Sequence, residues 1–107
     1  MLKNGRLYPG NTMQVSVTLV DDSGNAIDPD TIVFKTYDPC GRTQTYTYGP
    51  DPEVTRSSAG IYVAEITPDK AGRWNCRWET TEPVFTTEDS FIVLTSPFSS
   101  DCYRDYV

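Results

Sequence analysis

Near the start of the chain, Met13, Val15, Val17 and Leu19 alternate with Gln14, Ser16 and Thr18. A period of two lines one face of a β-strand, so this run predicts a strand with its apolar face turned inward. It ends at Asp21-Asp22-Ser23-Gly24-Asn25, a cluster of turn formers, and Asp28-Pro29-Asp30 breaks the chain again. Residues 31–37 form the next expected strand, rich in β-branched and aromatic side chains (Ile32, Val33, Phe34, Tyr37). Asp38-Pro39-Cys40-Gly41 has proline second and glycine fourth, which suits a type I turn. A strand of threonines and tyrosines follows at residues 42–48.

Gly49-Pro50-Asp51-Pro52 interrupts the pattern, and residues 54–57 read as a short edge strand. Residues 61–67 place Tyr62, Ala64 and Ile66 on one face. After the turn Pro68-Asp69-Lys70-Ala71-Gly72, residues 73–79 show the cleanest alternation, with Trp74, Cys76 and Trp78 opposite Arg73, Asn75, Arg77 and Glu79. A wet loop is expected at residues 80–83 and a last strand at about 86–94.

No segment sustains a helical period. About seven short strands, with turn signals roughly every ten residues, predict an all-β, immunoglobulin-like β-sandwich of antiparallel strands, with a small β-barrel as the alternative. The expected core is Val15, Val17, Leu19, Phe34, Tyr62, Ile66, Trp74, Trp78, Phe91 and Val93. The expected organisation is an N-terminal arm (1–12), the sandwich (13–96) and a C-terminal tail (97–107). At 107 residues the chain has the length of one domain.

Charge narrows the partners. Nine basic against fifteen acidic residues give a net charge of -6 with no basic run, which argues against a stable grip on phosphates. Histidine is absent, which removes the commonest general base near neutral pH and the commonest metal ligand. A Ser-His-Asp or Cys-His constellation is therefore impossible. Carboxylates such as Asp21-Asp22 and Glu88-Asp89 are expected at solvated positions, which keeps them ordinary. No glycine-rich phosphate cradle occurs. The expectation is a non-enzyme without cofactor or metal.

Asp21, Asp22, Asn25, Asp28 and Asp30 lie close together, but their order fits the EF-hand scheme poorly; a solvated turn suits it better, with a loose extracellular-type calcium site as the alternative. Trp74 and Trp78 read as a core wall, with an aromatic ligand platform as the alternative. Cys40, Cys76 and Cys102 match no zinc spacing and read as unpaired thiols, a disulfide between two of them being the other possibility. The first twelve residues hold no apolar run of signal-peptide length and the chain no membrane-spanning run, so synthesis in the cytosol and a soluble protein are expected.

Three stretches carry a resemblance. They are YPGNTMQVSVTLVDDSGNAIDP, TIVFKTYDPCGRTQTYTY and GIYVAEITPDKAGRWNCRWE, spanning about residues 8–94. Together they resemble the small immunoglobulin-like virion structural proteins of tailed bacteriophages. The matching positions are Tyr8, Gly10, Asp38, Pro39, Gly41, Gly60, Tyr62, Thr67, Pro68, Asp69, Gly72, Trp74 and Trp78. Many of these are what any such module needs to turn corners.

The resemblance implies a place in the virion after synthesis in the host cytoplasm. The role implied first is a head-tail or neck component in a ring. Capsid decoration or a tail-surface role comes next, and a carbohydrate- or host-binding module is a further alternative. Implied partners are other virion proteins (portal or adaptor, tail, capsid) and further copies of the chain. The candidate interface residues lie at the two ends: Leu7 and Tyr8, with Leu2, in the leader, and Phe98, Tyr103 and Tyr106 in the tail. Such ends can add a strand to a neighbour's sheet edge.

Overall fold

The structure is a computed structural model, and it describes residues 7–97. Seven strands follow one another in those residues: β1 (Met13–Thr18), β2 (Thr31–Tyr37), β3 (Thr43–Thr47), β4 (Val54–Ser58), β5 (Ile61–Ile66), β6 (Gly72–Thr81) and β7 (Phe85–Val93). They form two sheets, of order β1-β5-β4 and β3-β2-β6-β7, every pairing antiparallel. The sheets do not close on one another, so the fold is a β-sandwich and the barrel alternative is set aside.

The alternation in the sequence places the core. β6 buries Gly72, Trp74, Cys76, Trp78 and Thr80 and leaves the residues between them at least partly exposed. Opposite it, β5 buries Tyr62, Ala64 and Ile66. Phe34 is fully buried against Trp78, with ring centroids 4.8 Å apart. Every expected core residue faces inward, though Val15 and Phe91 are only partly buried at the margin.

A second cluster joins Leu7, Trp74 and Val93, with Trp74 stacked on Phe91 at 6.0 Å. The Trp74 Nε1–H donates to the Lys70 carbonyl at 2.9 Å, which pins the turn before β6.

Three expectations change. β6 continues to Thr81, so the wet loop expected at 80–83 shrinks to a tight turn at 82–84. Thr80 lies in the strand, and its hydroxyl donates to the Pro83 carbonyl at 2.6 Å, holding that turn. Leu7, expected at an interface, is buried at 3% exposure and belongs to the core. Cys40 is disulfide-bonded, against the expectation of an unpaired thiol, whereas Cys76 is a free buried thiol.

Candidate interaction surface

Two ends and four edges are available on a sandwich. At one end, the β1–β2 connection and the β6–β7 turn flank an open groove of about 440 Å³. Its apolar walls include Leu19, Val20, Ile27, Pro83, Val84 and Phe85. Val84 is 84% exposed and Val20 53%.

Both side chains stand on fixed backbone. Val20 bridges Ala26, and the Ile27 N–H donates to the Leu19 carbonyl at 3.1 Å. The Asp30 N–H donates to the Thr81 carbonyl at 3.0 Å, tying the β6–β7 hairpin to the loop before β2. Asp21 and Asp22 make one rim acidic.

Two of the turn carboxylates, Asp21 and Asp28, are engaged within the fold. Asp21 Oδ1 accepts the N–H groups of Ser23 and Asn25 at 2.8 and 2.9 Å, and these backbone bonds hold its pKa below the usual carboxylate value. Asp28 accepts both nitrogens of the Arg56 fork at 3.1 and 2.9 Å, the Gly60 N–H at 2.9 Å and the Tyr62 hydroxyl at 3.0 Å. The Arg56 bonds, then the Gly60 N–H, drive its pKa far below the ordinary range.

At the opposite end, a cleft of about 180 Å³ runs past Asp38, Tyr46, Lys70 and Trp74. Asp38 there caps the β2–β3 turn, accepting from the Cys40 and Arg42 N–H groups and facing Lys70 Nζ at 3.4 Å. Its oxygens are thus engaged by the turn's own N–H groups and by Lys70, which lines the cleft beside it.

The outer face of the larger sheet carries a charge ladder: Lys35 to Glu79 at 3.2 Å, Arg77 to Glu79 at 2.5 Å, and Arg77 to Glu88. Exposed pairs of this kind contribute little to stability. They mark a solvated face.

The four edges differ in protection. An exposed strand edge is an open template unless something blunts it. β3 is covered at one end, where Asp51 takes the Thr47 N–H at 2.7 Å and donates its own N–H to the Thr47 carbonyl at 3.0 Å. β4 carries Arg56 and a register shift between Arg56 and Ser58. β7 carries Glu88 and Asp89, and the Ser90 N–H is taken by Asp89 Oδ1 at 2.8 Å.

β1 has neither charge nor cap. The Leu19 N–H bonds back to the Gly60 carbonyl at 2.8 Å, so odd-numbered main chain faces β5. By the alternation of an antiparallel ladder, Gln14, Ser16 and Thr18 present theirs outward. Among the described residues nothing covers them.

Of the residues expected at an interface, Tyr8 is 41% exposed and Leu7 is buried. Phe98, Tyr103 and Tyr106 lie outside the described residues. The exposed Val20 and Val84 of the end groove were not among the expected residues. For Val20 a signal exists: in a run whose odd positions face inward, an even-numbered valine is out of phase and points to solvent. Compared with family models, curated proteins and solved structures, the chain matches none.

Proposed function

We propose that this protein is a non-enzymatic assembly module that works by protein–protein contact. Following the resemblance, its place is in a tailed-phage virion, as a head-tail or neck subunit in a ring. The observation that carries the reading is the apolar end groove with Val20 and Val84 displayed on pinned turns. Apolar anchors on fixed backbone lose little conformational freedom on docking and are the side chains from which interfaces draw their energy. The acidic rim at Asp21 and Asp22 favours a partner that brings an apolar segment flanked by Lys or Arg.

A rigid sandwich gripping a neighbour through a patch at one end makes a heterologous contact, and such contacts close into rings when the rotation permits. The net charge of -6 suits a ring around DNA, since carboxylates facing a tunnel repel phosphates and leave the genome free to move.

The test is Val20→Asp with Val84→Asp. Both positions are exposed, so circular dichroism stays unchanged, while incorporation into particles falls at least tenfold. Normal incorporation of the folded variant overturns the reading. A particle map then separates the roles: a closed ring at the neck supports the first, and copies spread over the capsid lattice move the protein to decoration.

A further inference from the structure

Four of the large apolar side chains exposed among the described residues fall into two pairs. Val20 and Val84 belong to the end groove. Tyr37, at 51% exposure, and Ile92, at 53%, stand elsewhere. Each is out of step with a buried neighbour in its strand, Thr36 and Val93, so both point to the outer face of the larger sheet.

Strand register brings this second pair together around one cation. Arg73 of β6 is the cross-strand partner of Ile92, and Tyr37 is that of Asn75, two residues along β6 from Arg73. Tyr37 and Arg73 also line one shallow hollow against the β2–β3 turn. Direct and diagonal neighbours on one sheet face lie within reach of long side chains. Tyr37, Ile92 and Arg73 thus form a small apolar patch with a positive charge in it.

Arg73 differs from the other cations of that face. Lys35 and Arg77 are engaged by Glu79 and Glu88. The Arg73 side chain donates from Nη2 to the Ser90 hydroxyl at 3.2 Å, and among the described residues no carboxylate pairs with it. Asp38 lines the same hollow, but its oxygens are engaged by the Cys40 and Arg42 N–H groups and by Lys70. At the groove, Asp22 is the counterpart of Arg73: an exposed rim carboxylate that no cation meets among the described residues.

Patch and groove sit at opposite ends of one strand. Val84 immediately precedes β7 and Ile92 is its last residue but one, so about 26 Å of strand separates them. Tyr37 likewise ends β2, whose first residue, Thr31, pairs with Thr81 beside the groove turn.

We infer that the occupant of the end groove is a second copy of this chain, which presents Tyr37, Ile92 and Arg73 to it, a conclusion that rests on the docking reading proposed above. Val20 and Val84 of one copy pack against Tyr37 and Ile92 of the next, and Asp22 faces Arg73. This is the chemistry the groove favours, an apolar surface accompanied by a cation. The two surfaces are distinct and do not overlap, so each copy uses its groove on one neighbour and its patch on the other. Such a heterologous contact repeats around an axis and closes a ring when the rotation permits. The pairing of Asp22 with Arg73 sets the orientation of approach for copies that share a negative net charge.

The test uses the isolated full chain and two variants, Val84→Asp in the groove and Ile92→Asp in the patch, each checked for fold by circular dichroism. Sedimentation velocity is followed over a rising concentration series. The parent is expected to associate progressively beyond a dimer, while either variant alone associates about tenfold more weakly or less still, as for loss of a central apolar anchor. Mixed in equal amounts, the two variants form a dimer that grows no further, because the intact patch of one meets the intact groove of the other. A parent that stays monomeric throughout overturns the inference. So does an associating parent whose mixed variants remain monomeric, since groove then meets groove. Arg73→Glu gives a second reading that holds even where Ile92→Asp misfolds. It weakens association about threefold, and adding Asp22→Arg restores it; no restoration overturns the proposed pairing. Failure here is distinct from failure of the docking reading. A monomeric parent whose Val20→Asp, Val84→Asp variant still drops out of particles keeps the groove and gives it a different protein as occupant.

Discussion

Asp28 lies in a stretch that the sequence marks as a breaker and a solvated acidic turn, yet four donors converge on its carboxylate. It ties the β1–β2 connection to β4 through Arg56 and to β5 through Gly60 and Tyr62. The consequence is a pH dependence whose sign follows from linkage. Its folded pKa lies below the ordinary 3.8, chiefly through Arg56, so its contribution to stability is fully present above that value. It is lost as pH falls below about 4, where the unfolded chain binds the proton first. Asp28→Asn is expected to lower the melting temperature at pH 7, with the difference from the parent shrinking as pH approaches about 2. Equal differences at both pH values, in paired thermal melts, would show that charge is not what Asp28 contributes.

Cys76 illustrates a quieter effect at the same scale. Burial, then the charge of Asp89, pushes its thiol up to about 11, so it remains an unreactive core side chain at neutral pH. Periodicity placed it correctly on the core face. Cys40 was misjudged because a disulfide depends on two backbone segments meeting in space, which linear spacing does not report.

Among the elements, the β4–β5 turn shows how little freedom a tight connection leaves. Gly60 has φ of +73°, and a Cβ built there would stand 2.6 Å from the Leu19 carbonyl oxygen and 3.1 Å from Ala26 Cβ. Gly60→Ala therefore combines a left-handed backbone with a clash against main chain, a loss of about 2–3 kcal/mol expected from strain of this kind. Urea unfolding measures it, and a loss under 1 kcal/mol would mean that β1 gives way easily. The strand runs themselves were legible: β1, β5 and β6 announce their inward faces by alternation, and those faces turn to the core, although Met13 and Val15 of β1 are only partly buried. The wet loop expected at Thr80 failed for a reason visible in its contacts. Threonine reads as polar in a sequence, but Thr80 hides its hydroxyl by donating to Pro83 and so can sit in the core at 4% exposure.

For the whole molecule, the charge of -6 and a sequence pI near 4.4 govern how copies approach one another. Repulsion opposes their approach near neutral pH, so the association proposed above has to draw on the apolar end groove. Solubility is expected to reach its minimum near pH 4.4 and to recover on either side. Turbidity across a pH series checks this, and a flat profile would place the controlling charges elsewhere than in the net balance.

The sequence by itself determined the strands, their inward faces and the turns between them other than the one after β6, because alternation and glycine or proline placement act over a few residues. The tertiary structure alone decided the strand order, and with it which edges stay open. It alone brought Leu7 between Trp74 and Val93, gathered Arg56, Gly60 and Tyr62 around Asp28, and set Val84 beside Val20. Those groups lie far apart along the chain. Contacts between them depend on how two sheets stack, a property of the assembled core that no local pattern encodes.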